Sequence, residues 1–325
     1  MTRSSLLIGD IGGTNARFAL ASPDVAHYSS ELLLPCAEYE SAQLAIDHFL
    51  KKTGAGAPQI ICLAVAGPVV AQKVRFTNNR WSLDASELAR KYPGSSVRLL
   101  NDFEAIAYSI PFLAADDCVL VGLPDSAPLP ADNYTLGIIG PGTGLGAVGL
   151  KRVNKTDIAI AGEAGHIGFA PATRVQLEIL TALRDRFDRV SSERLVCGPG
   201  LENLYWALGR VHGQEWPQLS AEKIFAAAAS GADSKASEAV QLFFEILGQV
   251  AGDFALTIGA VDGIFIAGGI VPRYPEMFAN SRFRSGFENK GRYRSMMESI
   301  PTRLILHAHP GLLGAAAVAQ QMAQA

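Results

Sequence analysis

Two stretches of this sequence follow one plan, in which an apolar run, a turn of small residues and a second apolar run come in succession. They are LLIGDIGGTNARFAL at residues 6–20 and GIIGPGTGLGAVGL at residues 137–150. Each pattern predicts two strands around a glycine turn. Their recurrence predicts the same element in two similar halves of the chain, although glycine hairpins also recur by chance.

The rest of the chain alternates between strand-like and helical runs. QIICLAVAG, residues 59–67, is a continuous apolar run, which is typical of a strand buried on both faces. AQLAIDHFLKK, residues 42–52, carries its apolar residues at helical spacing, and much of residues 174–260 reads as helical. The alternation predicts the α/β class, and a length of 325 residues favours two domains.

Composition and charge narrow the classes of function. The net charge is −3, so no nucleic-acid footprint is predicted. The four cysteines include no C-x-x-C pair, which disfavours a zinc cluster or a disulfide framework and fits a reducing compartment. No secretory segment and no run of 18 apolar residues is visible. We therefore expect a soluble, cytoplasmic protein.

The most basic stretch of the chain is SRFRSGFENKGRYR, residues 281–294. A solvated surface or a subunit contact is the ordinary interpretation of such a run of charges. A patch that faces phosphate groups is the alternative.

Three glycine turns, at residues 12–13, 142–146 and 268–269, suggest a polyphosphate ligand, because glycine leaves backbone N–H groups accessible. The Walker pattern of P-loop enzymes is absent. GTGLGA, residues 142–147, fits the dinucleotide-binding pattern, but that pattern must open a helix, and the following AVGLKRV suits a strand better. The remaining interpretation is a β-hairpin whose turn holds phosphates.

The first hairpin adds a carboxylate and two hydrogen-bond donors to its turn. Asp10 ends the first strand, where a carboxylate can hold Mg²⁺ through water, since this ion keeps several of its waters. Thr14 and Asn15 can donate hydrogen bonds to phosphate oxygens. The alternative is that Asp10 caps the Gly12-Gly13 turn.

A second acidic candidate follows a buried strand. Asn101 and Asp102 come directly after the apolar run VRLL, and α/β sheets bind their ligands beyond the carboxyl ends of strands. The alternative is that Asp102 is the N-cap of the helix FEAIAYSI. Both roles are compatible if the backbone supplies the cap.

Further polar candidates lie in loops. Glu163 and His166 belong to AGEAGHIGFAP, where local hydrogen bonding is the alternative and metal ligation is disfavoured because no Cys or second His is near. Glu193 lies at a predicted helix start, where stabilising the helix dipole is the alternative. Asn78, in FTNNRW, lines a polar site or forms a turn. Carboxylates and amides in this number suit a hydroxyl-rich ligand such as a sugar, since each hydroxyl both donates and accepts.

At these residues the chain resembles the ATP-dependent bacterial glucokinase family, within the hexokinase–actin–Hsp70 ATPase superfamily. The matching motifs run nearly end to end in family order: GDIGGTNARFAL, TNNRW, NDFEAIAYSIP, GPGTGLG, GEAGHIGFAP, VSSERLVCGPGLENLY, GGIVPR and PGLLGAA. Their joint occurrence is specific, although each turn alone is not. The chain lacks the paired-cysteine zinc motif of the ROK sugar kinases, so no zinc is expected.

The resemblance implies a fold and a domain division. The implied fold is α/β, a two-domain actin-like ATPase (ribonuclease H-like) fold with mixed sheets and an active-site cleft between the domains. Residues 1–112 together with 303–325 would form the small domain, and residues 113–302 the large one. The resemblance also implies a homodimer.

The resemblance further implies roles for individual residues. Asp102 matches the catalytic base, and Asp10 is the expected Mg²⁺ site, through water. The residues that match sugar-binding positions are Asn78, Asn101, Asp102, Gly144, Glu163, His166 and Glu193. The residues that match ATP-binding positions are Gly9, Asp10, Gly12, Gly13, Thr14, Asn15, Gly142, Thr143, Gly268 and Gly269.

The activity that the resemblance implies is transfer of the γ-phosphoryl group of ATP to the 6-hydroxyl of D-glucose, which gives glucose 6-phosphate and ADP. Mg²⁺ is the expected cofactor and ATP the co-substrate, and neither a nucleic acid nor a membrane is an expected partner. A kinase for another hexose, such as mannose or fructose, and a non-catalytic sugar sensor stay open as alternatives. The sugar-loop residues disfavour an actin-like filament protein.

Overall fold

The structure is a computed structural model that describes residues 5–23, 27–76, 79–123 and 129–324. The chain divides into two compact units. The first unit is Met1–Ala115 together with His307–Ala325, and the second unit is Asp116–Leu306. Because the chain returns to the first unit at its end, the second unit is an insertion in sequence.

Strands and helices alternate, which confirms the predicted α/β class. The strands in the described ranges are β1 Leu6–Ile11, β2 Asn15–Ala21, β3 Tyr28–Pro35, β4 Ile60–Val65, β5 Lys73–Arg75, β6 Ser82–Asp84, β7 Ser96–Asn101, β8 Cys118–Val121, β9 Tyr134–Pro141, β10 Leu145–Val153, β11 Thr156–Ala161, β12 Gly263–Ile266 and β13 Thr302–Ile305. The α-helices in the same ranges are α1 Ala42–Thr53, α2 Ala85–Lys91, α3 Asp102–Ser109, α4 Arg174–Arg184, α5 Gly198–Val211, α6 Ala221–Ala229, α7 Ser234–Ile258, α8 Pro275–Ala279, α9 Phe283–Glu288, α10 Arg294–Ser299 and α11 Pro310–Gln324.

Each unit is built on a mixed sheet, and the two sheets repeat one topology. The first has the order β3-β2-β1-β4-β7, and the second the order β11-β10-β9-β12-β13-β8. In both, the central strand pairs with an antiparallel hairpin partner on one side and a parallel strand on the other. The predicted repeat of the hairpin in two similar halves is therefore confirmed, and β8 is an added antiparallel edge strand.

Strand β1 is buried on both faces, as a continuous apolar strand requires. Leu7 packs with Phe49 on the α1 side, and Ile8 packs with Leu312 on the α11 side. Since side chains alternate along a strand, Asp10 lies on the same side as Ile8. The neighbouring Gly9 faces the other layer, and the tight packing there explains why position 9 carries no side chain.

The tightest helix contact of the first unit joins α3 to α11. A Cβ added at Gly314 would lie 1.7 Å from the carbonyl oxygen of Ala105 and 2.7 Å from its carbon. The two helices therefore meet backbone to backbone at this point. This contact holds α11 against the layer that also contains β1 and β4.

The core of the second unit is organised around the long helix α7. By length and composition α7 could cross a membrane, yet 78% of that apolar stretch is buried inside the unit, which is typical of a core helix. Gly248 of α7 and Gly286 of α9 permit the two helices to pack closely. A Cβ added at Gly248 would lie 1.9 Å from the oxygen of Phe283, and one added at Gly286 would lie 2.1 Å from that of Glu245.

The strand β13 is placed differently from the sequence interpretation. The second segment of the predicted small domain, residues 303–325, includes most of β13, but β13 pairs in parallel with β12 and antiparallel with β8, inside the sheet of the second unit. Leu304 is fully buried there. The short run TRLI does not indicate its partner strand. Its place in the second unit is set by backbone pairing with β12 and β8, which the local sequence pattern does not predict.

Two residues of the basic stretch have structural roles. Arg284 is buried, and its guanidinium group donates to the carbonyl oxygens of Ile300 and Met297 at 2.9 and 3.3 Å. Lys290 forms an ion pair with Asp253, whose Oδ1 lies 2.6 Å from the lysine Nζ. The interpretation of this stretch as a solvated surface is therefore wrong for Arg284, because its donors are needed to satisfy buried carbonyl groups.

Replacing Gly314 by Ala should lower the free energy of unfolding by about 2 kcal/mol or more, because the added methyl group forces α3 and α11 apart. Urea unfolding followed by circular dichroism measures the change. The matched control is Gly56→Ala, where nothing lies within 4 Å of the added Cβ, and its effect should stay below about 0.5 kcal/mol. Equal unfolding free energies for the two variants would contradict the backbone contact.

Candidate active site

The turn of the first hairpin is anchored through its carbonyl groups. Gly12 donates from its N–H to the oxygen of Asn15 at 2.9 Å, and its own oxygen accepts from Nδ2 of Asn79 at 3.2 Å. The oxygen of Thr14 accepts from the N–H of Cys36 at 2.8 Å. Among the described residues, the N–H groups of Gly13 and Thr14 have no acceptor. The turn thus presents donors of the kind that bind anions.

Asp10 lies in β1 next to this turn, directly opposite Arg17 on β2. Burial raises the pKa of Asp10 to about 6, and the positive charge of Arg17 limits the rise. A Cβ added at Gly311, in the first turn of α11, would lie 3.1 Å from Oδ2 of Asp10. The carboxylate therefore faces a helix N-terminus, whose dipole favours its ionised form. Asp10 lies within β1 and not in the turn, so the alternative that it caps the Gly12-Gly13 turn is not what the structure shows.

A single carboxylate fits the chemistry of Mg²⁺. No group of three or more His, Cys, Asp or Glu side chains that could hold a metal is found in the described part of the chain. Mg²⁺ does not need one, because it binds through one or two carboxylates while waters and substrate phosphates complete its shell. Asp10, beside the donors of the turn, is suited to this arrangement.

The alternative that Asp102 is the N-cap of α3 is wrong, because the N-cap is Asn101, although Oδ1 of Asp102 also accepts from the N–H of Phe103 at 2.9 Å. Oδ1 of Asn101 accepts from the N–H of Phe103 at 3.0 Å, and the N–H of Asn101 donates to Glu104 at 3.3 Å, so Asn101 is the N-cap in a capping box. Asp102 is the first helical residue. Nδ2 of Asn101 also donates to the oxygen of Gly67 at 3.0 Å, which leaves its second N–H for other partners.

The two acidic candidates of the first unit lie at the same edge of its sheet. Strands β1, β4 and β7 are parallel, and their register places Ile11, Val65 and Asn101 in one row. Neighbouring strands are about 4.8 Å apart, so β1 and β7 run about 10 Å from each other. Asp10 and Asp102 therefore stand at the carboxyl ends of two strands separated by one, where α/β sheets bind ligands.

The second hairpin turn is also closed by the N–H of a glycine, and a further glycine turn lies beside it. The N–H of Gly142 donates to the oxygen of Gly144 at 2.8 Å, and strand β10 follows the turn, so the expectation that no helix follows is confirmed. Gly268 has a φ of +88°, and an added Cβ would lie 2.5 Å from the oxygen of Pro141. Two of the three predicted glycine turns are thus adjacent within the second unit.

These turns border a cavity of about 370 Å³ in the second unit. The predicted residues Gly142, Thr143 and Gly269 line it. The lining residues that the sequence analysis missed are Gly198, Pro199, Ala221, Glu222, Phe225, Ile270, Arg273 and Tyr274. Its volume lies in the range of small-ligand sites.

One wall of the cavity is aromatic and others are helix starts. The rings of Phe225 and Tyr274 are stacked, with centroids 4.5 Å apart and planes 10° apart. Gly198 and Ala221 are the first residues of α5 and α6. Arg273 belongs to the motif GGIVPR, so the sequence offered a signal for it. Nothing in the sequence marks Phe225 as a neighbour of Tyr274.

The polar loop candidates of the second unit gather around Leu145. The N–H of Leu145 donates to Oε2 of Glu193 at 2.9 Å. A Cβ added at Gly165, between Glu163 and His166, would lie 2.2 Å from the oxygen of Leu145. Glu193 thus accepts a hydrogen bond from the first residue of β10. The alternative, in which Glu193 only stabilises a helix dipole, does not account for this bond. Glu163 and His166 are exposed, so their side chains are accessible to a ligand.

Two further positions differ from the predicted set. Gly144 has a structural reason to lack a side chain, since an added Cβ would lie 2.5 Å from Oε2 of Glu193. Gly9 lies within β1 rather than in the turn, and an added Cβ would lie 2.8 Å from Leu63. Asn78 is outside the described residues. Its neighbour Asn79 accepts from the N–H of Trp81 at 2.7 Å, which fixes the segment that follows.

A family model described as Glucokinase matches residues 7–322 of this chain. The glucokinase of Marinobacter nauticus is 39% identical over 311 residues, which cover 95% of each chain. The chain belongs to the glucokinase family. Membership of the glucokinase family makes it an ATP-dependent hexose kinase.

Solved structures agree with the family assignment. The crystal structure of a glucokinase from an Antarctic psychrotroph has a TM-score of 0.89 and 34% identity, and the match covers 98% of this chain and 99% of that one. A ROK hexokinase from Thermus thermophilus, at 18% identity, has a TM-score of 0.69 and shares the fold, with 98% and 99% covered. The glucokinase-family chain therefore has the predicted actin-like ATPase type of α/β fold with mixed sheets.

Proposed function

We propose that this chain transfers the γ-phosphoryl group of ATP to the 6-hydroxyl of D-glucose and releases glucose 6-phosphate and ADP. Phosphoryl transfer passes through a loose transition state, so positioning and charge stabilisation supply most of the catalysis. The observation that carries the proposal is the common sheet edge of the first unit, where Asp102 and the anion-binding turn follow parallel strands.

Asp102 is the proposed catalytic base. It would orient the 6-hydroxyl and accept its proton as the new P–O bond forms. Asn101 caps helix α3 and so fixes the backbone from which the Asp102 carboxylate projects. Asn101 retains one N–H with which it would donate to a sugar hydroxyl.

The turn of the first hairpin is the proposed phosphate site. The N–H groups of Gly13 and Thr14 would donate to phosphate oxygens, and the side chains of Thr14 and Asn15 would add donors. Asp10 would hold Mg²⁺ through water. When bound with ATP, this ion supplies positive charge that offsets the charge on the phosphates. Asp10 is partly buried against α11, so its carboxylate stays in one place beside the turn.

The cavity of the second unit is the proposed site for the rest of ATP. Gly142 and Thr143 would approach the phosphates, and Gly268 and Gly269 the adenosine. The stacked ring pair and the two helix starts support this assignment, because a base packs on apolar walls and helix N-termini attract phosphate. Arg273 adds a cation to the same wall.

The sugar is proposed to be held by charged and amide groups. The residues that would bond the hydroxyls are Asn101, Asp102, Glu163, His166 and Glu193. We assign Asn78 and Gly144 secondary roles at the same ligand. A site built to bond hydroxyls rejects analogues that lack them, because its polar groups are then left unpaired. We further propose a homodimer that acts in the cytoplasm, on the strength of the family resemblance.

A matrix of sugars and phosphoryl donors tests the proposal most broadly. Release of ADP is followed with glucose, mannose and fructose, each with ATP and Mg²⁺. We expect glucose to give the highest kcat/KM. A higher value with another hexose would reassign the substrate, and no ADP release with any sugar would indicate a sugar-binding protein without catalysis.

Replacing Asp102 by Ala should lower kcat by about 10²- to 10⁴-fold, because the 6-hydroxyl loses its proton acceptor. Binding of glucose, measured by calorimetry, should weaken but stay detectable, since the other proposed sugar ligands remain. Steady-state kinetics at saturating ATP measures the loss. A near-normal kcat in this variant would overturn the assignment of the base.

Replacing Gly144 by Ala should raise the KM for glucose about tenfold or more, because the new methyl group displaces the carboxylate of Glu193. The free energy of unfolding should fall by no more than about 1.5 kcal/mol, because the displaced carboxylate loses its hydrogen bond from the N–H of Leu145. Glu163→Gln should likewise raise the KM for glucose far more than the KM for ATP. Equal effects on both substrates would show that these loops shape the fold and do not bind the sugar.

A further inference from the structure

The turn that precedes β5 adopts a backbone conformation that its residues disfavour. Val70 and Lys73 exchange two backbone hydrogen bonds, both at 3.0 Å, around Ala71 and Gln72. The φ angles of these two residues are +49° and +59°. Such two-residue turns strongly favour Asn-Gly, because L side chains are strained at positive φ. Strain of this kind persists only where the surrounding structure maintains it.

The side chain of Gln72 supplies the interactions that maintain it. Nε2 of Gln72 donates to the oxygen of Leu99 at 3.3 Å, and Oε1 accepts from the N–H of Leu99 at 2.8 Å. Leu99 lies in β7, the edge strand of the first sheet. One amide thus pairs with both backbone groups of an edge residue, as a neighbouring strand would.

The same segment is tied to the ends of both functional strands. At its start, the N–H of Ala66 donates to the oxygen of Ile11 at 2.9 Å, next to Asp10. The oxygen of Gly67 accepts from Asn101 at 3.0 Å, next to Asp102. Residues 66–73 therefore connect the carboxyl end of β1 with that of β7, and Gln72 clamps β7 three residues before Asp102.

We propose that Gln72 is a positioning residue for Asp102. By pairing with Leu99, it fixes the end of β7 and hence the place of the carboxylate at the sheet edge. The strained turn is the means, because in this conformation the amide of Gln72 lies alongside β7. A displacement of about 1 Å at a reacting group can cost about 100-fold in rate. This inference rests on the proposed role of Asp102 as the base.

The test is the variant Gln72→Met, which keeps the length of the side chain and removes both hydrogen bonds. We expect kcat to fall roughly tenfold at saturating substrates, since the base moves by a fraction of an ångström. The KM for ATP should stay within about twofold, because the phosphate turn and the nucleotide cavity are untouched. An unchanged kcat would overturn the proposal.

A double-mutant cycle separates positioning from a general loss of structure. In the Asp102→Asn background, the residue through which Gln72 acts is already neutral, so Gln72→Met should lower the residual kcat less than about twofold. The same roughly tenfold loss in both backgrounds would overturn the proposal. A near-normal kcat of Asp102→Asn alone would instead overturn the proposed base, and the two failures are therefore distinguishable.

Two control variants complete the design. Gln176 is buried in the second unit, and its Oε1 accepts from the N–H of Ala172 at 2.7 Å, so Gln176→Met removes a comparable bond away from the sheet edge. Its kcat should stay within about twofold of the parent value. Ala71→Gly relieves the positive φ and keeps Gln72, and it should also leave kcat unchanged. A tenfold loss in either control would overturn the specific role of Gln72.

Discussion

The register that joins β1, β4 and β7 is the constraint on which the rest of the first unit depends. Because these strands are parallel and aligned, their carboxyl ends form one edge, where Asp10 and Asp102 stand at the ends of strands that run about 10 Å apart. A slip of one residue would turn Asp10 toward the α1 layer and bury it among Phe18 and Phe49. Burial of β1 on both faces makes such a slip costly.

Close backbone contacts keep this edge in place. Helix α11 packs against α3 at Gly314 and approaches Asp10 at Gly311. The same helix therefore contacts Asp10 and the helix that begins with Asp102. The strained turn at Gln72 holds the same edge from the side of β7. In the second unit, glycines at Gly144 and Gly165 let Glu193 and the 163–166 loop close around the hairpin. Small residues thus help to position the polar groups, because they allow neighbouring segments to approach closely.

Local patterns in the sequence predicted more of the fold than of the candidate active site. Both hairpins follow from glycine between apolar runs, and the repeated topology follows from their recurrence. The sheet to which β13 belongs did not follow, because the four residues TRLI do not encode a partner strand. Asn101 and Asp102 are both residue types that cap helices well, and only the folded structure shows that Asn101 is the cap. Phe225 and Gln72 act through residues distant in sequence, and no local signal marks such contacts.

The central claim is that two carboxylates at one sheet edge have different tasks. The most direct test is the single-turnover rate of glucose phosphorylation, measured as the Mg²⁺ concentration is varied, for Asp10→Asn and Asp102→Asn. The account predicts that Asp10→Asn shifts the midpoint to higher Mg²⁺, whereas Asp102→Asn lowers the plateau at an unchanged midpoint. Equal shifts of the midpoint in both variants, or a lowered plateau in Asp10→Asn alone, would contradict it.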